Sequence, residues 1–353
     1  MKVYLYSQWR KLIEKSGVGR AAYHQRQALQ NQDVELVSRK EEADVIHINT
    51  IFPGSLRMAV WARTHHKAVV FHAHSTREDF ENSYIGSNAA AGFFQKWITL
   101  CYSQGDCIIT PSTYSAGLLE SYGIRKPIHV LSNGIDTEFY SRREEDREAF
   151  RTKYGYSEDD KIVMSVGLWI KRKGIMDFAA LAQRMPQYQF IWFGQSDLHT
   201  VPGEIREIVE SKLPNLRFAG YVDRESLRQA YGACDLFLFP SYEETEGIVV
   251  LEALSMKIPV LLRDIPVYGD WLEHGKTVYK AENLEGFEDL TEKILQGEVE
   301  NLTGQGYEVA RKRDIGAIGA CLAEIYEQAE EIRRENGTFP FPVCDISEGI
   351  HDI

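Results

Sequence analysis

Two doubly wound α/β domains facing each other across a cleft are what this sequence predicts, on three observations. Short β-rich runs alternate with helical segments along both halves of the chain, the pattern of parallel sheets covered on both faces. The alternation breaks once, between Ser132 and Ser157, where the turn-rich SNGIDTEFY runs into the charged SRREEDREAFRTKYGYSEDD. Finally, 353 residues are more than one compact core holds. The expected division is residues 1–140 and residues 141–330, with a helix over about 331–353 able to pack back on the first domain.

The elements follow in order. Lys2 to Tyr6 reads as the first strand, and Ser16-Gly17-Val18-Gly19-Arg20 as a tight loop opening a helix through Ala28 and Leu29. Further strands are expected at Val34 to Val37, Val45 to Ile48, Ala68 to Phe71, Cys107 to Thr110 and Ile128 to Leu131, with helices at about 55–66, 89–104 and 112–122. The second half starts its own alternation. Strands at Ile162 to Gly167, Gln189 to Phe193, Leu216 to Ala219, Leu236 to Phe239 and Val260 to Leu262 interleave with helices at about 175–184, 203–212, 224–232 and 247–256. From Leu284 onward the chain reads as amphipathic helix, with Ile315, Ile318, Leu322, Ile325 and Tyr326 on one face.

Composition narrows the function classes. A chain 44% hydrophobic and 26% charged has material for two cores and no case for disorder. Its five cysteines are scattered with no CxxC pair, which fits reduced thiols and neither a disulfide framework nor a zinc site. No apolar run approaches the ~20 residues of a membrane span, and MKVYLYSQWRK is too short and polar for a signal peptide. A cytoplasmic location is expected. The net charge of −12 argues against a nucleic-acid partner. That charge is uneven: residues 1–140 carry 15 Lys and Arg against 13 Asp and Glu, whereas 141–353 carry 25 against 39. Only the first half is suited to face something negative, such as a lipid surface, although unequal halves also occur in proteins that touch no membrane.

Ligands of such sheets bind beyond the carboxyl ends of the strands, and four strand ends carry candidate chemistry. Gly17 and Gly19 follow the first strand, where small residues let backbone approach a ligand. His72 and His74 close VVFHAHSTRED and point the same way, beside Arg77, Glu78 and Asp79. SVGLWIKRKG places Lys171, Arg172 and Lys173 where cations can meet a diphosphate. The fourth, LFLFPSYEETEGIVVLEAL, runs from a strand through a carboxylate cluster into a helix opening at Gly247 or Ile248, whose free amides form an anion site. Each also has a plain structural reading: a turn, a core histidine, a solvated basic loop and an acidic helix N-terminus.

Together with PSTYS, LSNGID and FAGYV, these stretches resemble, over nearly the whole chain, the family 4 retaining glycosyltransferases of the GT-B fold; Glu244-x7-Glu252 is the most specific element. The resemblance implies that Glu252 holds the ribose of a UDP-hexose and that the amides of Gly247, Ile248 and Val249 hold its phosphates. It implies that Glu244 touches the donor sugar, that Lys173 neutralises the departing diphosphate, and that His74 stands near the sugar's C6 hydroxyl and the reacting centre. Gly17 and Gly19 border phosphate and acceptor, and Tyr221 and Val222 neighbour the base. One departure stands out: the family's Gly-Arg-Leu is Gly167-Leu168-Trp169 here, and Arg172 is the candidate to replace the missing arginine. There is no Asp-x-Asp motif, so neither a metal nor any other cofactor is expected, the UDP-sugar being a substrate.

Within the family, YSQWRKLIEKSGVGRAAYHQRQAL and HAHSTREDFENSY are similar to Gram-positive enzymes that build diglycosyl diacylglycerol. The implied acceptor is a glycolipid, monoglucosyl diacylglycerol, at an anionic surface on the inner face of the membrane. SLRMAVWARTHHK mixes Met58, Val60 and Trp61 with cations, and AAAGFFQKWITLCY offers Phe93, Phe94 and Trp97; such helices lie on lipid or pack on the sheet. Two alternatives stay open, the same enzyme type acting on a soluble or polysaccharide acceptor and a nucleotide-sugar-binding protein with a degenerate site.

Overall fold

The computed structural model of the chain describes residues 1–9, 13, 14 and 16–335; the part of the expected final helix beyond 335 lies outside the described residues. Strands β1 (Lys2–Tyr6), β2 (Glu35–Leu36), β3 (Val45–Ile48), β4 (Ala68–His72), β5 (Cys107–Thr110) and β6 (Ile128–Val130) form one sheet in the order β2-β1-β3-β4-β5-β6. Strands β7 (Ile162–Val166), β8 (Gln189–Phe193), β9 (Leu216–Gly220), β10 (Leu236–Phe239), β11 (Val260–Arg263) and β12 (Tyr279–Ala281) form the second, in the order β12-β11-β10-β7-β8-β9. Every pairing is parallel. Helices cover both faces of each sheet, which is why VIHI, AVVFH and LFLF are buried along their whole length.

In the first domain these helices are α1 (Gly17–Ala28), α2 (Pro53–Thr64), the short α3 (Arg77–Phe80), α4 (Ser87–Tyr102) and α5 (Thr113–Ser121). In the second they are α6 (Glu144–Tyr154), α7 (Ile175–Arg184), α8 (Gly203–Val209), α9 (Arg224–Ala233), α10 (Ile248–Ser255), α11 (Leu284–Gln296) and α12 (Thr303–Arg311), followed by α13 (Ile315–Glu335).

Three elements differ from expectation. The charged junction forms α6, with Glu144, Glu145 and Asp146 in the first turn and Gly155 closing it at φ 76. Its acids suit the helix dipole; Phe150 and Arg151 are buried, and Asp146 accepts both guanidinium arms of Arg228 on α9, at 2.5 and 2.8 Å. Strand β12 is an edge strand of three residues, too short to leave a pattern in the sequence. The third concerns the domain division. Residues 315–330 were expected in the second domain, but α13 lies on the first sheet: Ile318, Leu322, Ile325, Tyr326 and Ala329 share a core with Val3, Leu29, Val45 and Val70. The apolar face matches that sheet's open side, and burying it there outweighs chain proximity.

The chain therefore crosses between domains twice, and the crossings are bonded together. The Ile135 amide donates to Arg313 O and the Ile315 amide to Ile135 O, each at 3.0 Å. The strand order reverses between β1 and β3 in one sheet and between β7 and β10 in the other. At such a switch point neighbouring loops diverge and leave a crevice at the strand ends.

Candidate active site

The loops leaving β1, β4, β7 and β10 converge on one cleft of about 1110 Å³ between the domains. Its lining includes Gly17, His74, Arg172, Lys173, Tyr221, Val222, Glu244, Gly247, Ile248, Val249 and Glu252. Gly19 is the one expected site residue outside it. A Cβ at Gly19 would stand 2.3 Å from Ile13 O, so glycine is needed there for the close approach of the 13–14 backbone, and Ser16 caps α1 by accepting from the Gly19 amide. His72 is also turned inward and fully buried, whereas His74 reaches the cleft.

Local sequence explains the floor of the cleft. Strand β10 ends at Phe239, just before Pro240, and the following loop closes at Gly247, which caps α10 at φ 89, a left-handed conformation that residues with a Cβ adopt at a cost. The amides of Ile248 and Val249 open the helix toward the cleft and have no acceptor one turn back. Glu252 lies one turn further, buried, its Oε1 accepting from Tyr140 Oη at 2.6 Å and its Oε2 from Tyr231 Oη at 3.0 Å.

Glu244 is buried beside the cations. Its Oε1 accepts from Lys173 Nζ and from Ser241 Oγ (2.6 Å), with Arg172 Nη1 at 3.8 Å. All these contacts fall on Oε1, which leaves Oε2 without a hydrogen bond among the described residues. Burial works against charge on Glu244, but Lys173 and Arg172 outweigh it and hold the carboxyl below its ordinary pKa. Burial lowers Lys173, with Glu244 opposing. Arg172 spans the two domains: Nε donates to Ser83 Oγ at 3.1 Å, Nη1 to Glu243 O at 2.5 Å, and its amide to Asn82 O at 3.3 Å.

Burial also lowers the pKa of His74 to about 3 and raises that of Glu243 to about 7. His74 Nε2 bonds Asn49 Oδ1 at 2.9 Å. No cluster of three or more His, Cys, Asp or Glu side chains able to hold a metal exists among the described residues.

Sequence reasoning gave Arg20 no role and named Asp79 only as a neighbour of His74. Both line the cleft, Arg20 from α1 with Nε 3.5 Å from Glu252 Oε1, and Asp79 from α3 with its pKa raised by burial against the pull of Arg172. Leu168 lines it as well, so the position of the missing arginine faces the cleft as an apolar residue. The signal for Arg20 was its place one residue after Gly19, but its partner on the other domain is visible only in three dimensions.

Outside the cleft the two candidate lipid helices divide. Met58 and Trp61 on α2 and Phe94 and Trp97 on α4 pack on the first domain's core, which settles them as sheet-facing. Phe93 is 76% exposed, and Ile85 before α4 is 67% exposed. Among the described residues no helix is long and apolar enough to cross a membrane.

Comparison with known proteins agrees with this architecture. Residues 22–139 match the family model "Glycosyltransferase Family 4", and residues 146–313 match "Glycosyl transferases group 1". The processive diacylglycerol alpha-glucosyltransferase of Acholeplasma laidlawii is 40% identical over 95% of this chain and 100% of its own. The alpha-galactosylglucosyldiacylglycerol synthase of Streptococcus pneumoniae is 30% identical over 83% of this chain and 74% of its own. Among solved structures, Anabaena HepE in complex with UDP and glucose superposes with a TM-score of 0.73 at 17% identity, covering 92% of this chain and 99% of that one. The chain belongs to the family 4 glycosyltransferases of GT-B fold.

Proposed function

We propose that the protein transfers a hexose from a UDP-sugar to a glycolipid built on diacylglycerol, with retention, to give an α-linked diglycosyl lipid. The observation that carries this reading is the 40% identity, over the full length of the relative, to a diacylglycerol alpha-glucosyltransferase. It also makes UDP-glucose the donor to try first and UDP-galactose the second, given the more distant galactosylglucosyl-lipid synthase.

The cleft supplies what such a transfer needs. As the bond from the sugar's anomeric carbon to the diphosphate breaks, charge grows on UDP. Lys173, Arg172 and the amides at the start of α10 stand ready to receive it. Glu252 takes the ribose and the open Oε2 of Glu244 a hydroxyl of the hexose. With no metal in the scheme, the acceptor hydroxyl attacks on the face that UDP leaves and gives its proton to the departing phosphate. Ile85, exposed, directly follows Tyr84, which lines the cleft, and the exposed Phe93 lies on α4, the next helix. This arrangement supports docking of the first domain on an anionic lipid surface, with the acceptor head group lifted into the cleft.

The test is incubation with UDP-glucose or UDP-galactose and vesicles containing diacylglycerol or its monoglucosyl form, followed by mass and linkage analysis. An α-linked diglycosyl lipid and released UDP are expected. Transfer confined to soluble or polysaccharide acceptors would overturn the reading.

A further inference from the structure

A buried polar chain runs behind His74, through the first sheet, to the helix that closes the fold. Tyr326 Oη on α13 lies 2.7 Å from His47 Nδ1, His47 Nε2 lies 3.3 Å from His72 Nδ1, and Gln25 Nε2 donates to both His72 Nδ1 and Asn49 Oδ1 at 2.8 Å. Asn49 Oδ1 is also the partner of His74 Nε2 at 2.9 Å. The rings of His72 and His74 stack, with centroids 4.1 Å apart and planes 8° from parallel. Apart from His74, which borders the cleft, every member has its side chain in the interior.

With the amides oriented as in the structure, the protons on His72 and His74 follow from their partners, while Gln25 Oε1, Asn49 Nδ2 and His72 Nε2 are buried without a hydrogen-bond partner among the described residues. Gln25 spends its two N–H groups on His72 Nδ1 and Asn49 Oδ1, so His72 Nδ1 is bare. That nitrogen's one lone pair is taken by Gln25 at 2.8 Å, so His47 Nε2, at 3.3 Å, is a weaker second contact, and the other ring nitrogen of His47 pairs with the Tyr326 hydroxyl. At the other end an amide oxygen can only accept, so His74 carries its proton on Nε2. Its Nδ1 has no hydrogen-bond partner among the described residues. Burial keeps the three imidazoles neutral, and His47 and His74 have pKa values lowered to about 3.

We propose that Asn49, held by Gln25, is a positioning residue for the transfer: it locks His74 as the Nε2–H tautomer and leaves a bare Nδ1 to accept a hydrogen bond from a hydroxyl of the donor hexose. This rests on the reading of the cleft as the donor-sugar site. A neutral imidazole with the wrong nitrogen protonated presents a donor where the sugar needs an acceptor, at unchanged shape.

The tautomer is read directly on the full chain labelled with 15N-histidine, the His74 signals being assigned by their loss in His74→Gln. A pyrrole-type Nε2 and a pyridine-type Nδ1 are expected at neutral pH; a protonated Nδ1 overturns the proposal without recourse to any Asn49 variant. In kinetics, Asn49→Ala is expected to lower kcat by about 10- to 100-fold, the scale of a misplaced catalytic contact, with UDP affinity changed by no more than about twofold. Asn49→Asp, which keeps an accepting oxygen, is expected to recover at least about tenfold of that loss. An Asn49→Ala enzyme with unchanged kcat removes this role alone. Absence of UDP-hexose turnover by the unaltered protein removes the donor-site reading and this role with it.

Discussion

Arg20, on the first helix of one domain, stands 3.5 Å from the carboxylate of Glu252 on the other. The cleft thus has a cation that comes from the wall opposite Lys173 and Arg172, and it meets the residue assigned to the ribose. Arg20→Ala is expected to weaken UDP binding by about tenfold, read by calorimetry, because a charged partner at a buried site is lost. Unchanged affinity would limit Arg20 to holding the domains together.

Glu252 and Glu244 divide the donor between them, and their variants are expected to separate. Glu252→Ala leaves the Tyr140 hydroxyl without its acceptor and the Tyr231 hydroxyl with Val249 O alone, and should weaken UDP binding by about 10- to 100-fold. Glu244→Gln should keep UDP affinity within about threefold and lower kcat by 100-fold or so. Equal effects on UDP binding would count against the division.

Stability should depend on the buried histidines. Burial lowers the pKa of His24 to about 4 and of His47 and His74 to about 3, and lowers His72 as well. The unfolded chain takes up these protons near pH 6.5, where the folded chain refuses them. Stability is therefore full above that pH and falls as pH drops toward the folded values, by up to ~1.4 kcal/mol per pH unit for each group. Urea midpoints at about pH 7.5 and about pH 5.5 check this; equal midpoints would contradict it.

Phe93 and Ile85 are the apolar side chains to test for lipid docking. Phe93→Asp with Ile85→Asp is expected to reduce flotation with anionic vesicles by at least about fivefold while UDP binding is retained. Undiminished flotation would place the membrane contact elsewhere.

Transfer is expected to proceed with excess EDTA at a rate within about twofold of the untreated enzyme, since Lys173, Arg172 and helix amides are assigned to the diphosphate. Activity lost to EDTA and restored by magnesium or manganese would refute this.

By itself, the sequence determined what depends on neighbouring residues. The run LFLFP, the glycine at 247 and the apolar segment up to Pro259 fix a strand, a tight turn and a helix, because strand period, turn chemistry and helix signals are local. That placed Glu244 beyond a strand end and Glu252 one turn into the following helix. Tertiary structure alone decided which distant groups meet. Gly19 faces the 13–14 backbone instead of the cleft, Arg20 finds Glu252, and Asn49 holds His74. It also decided that α13 returns to the first sheet, where an apolar face meets the open side of a core far away in sequence. Burial is a property of the assembled surface and keeps the histidines neutral, while the depressed Glu244 carboxyl comes from Lys173 and Arg172, brought beside it against burial by packing that no local pattern encodes.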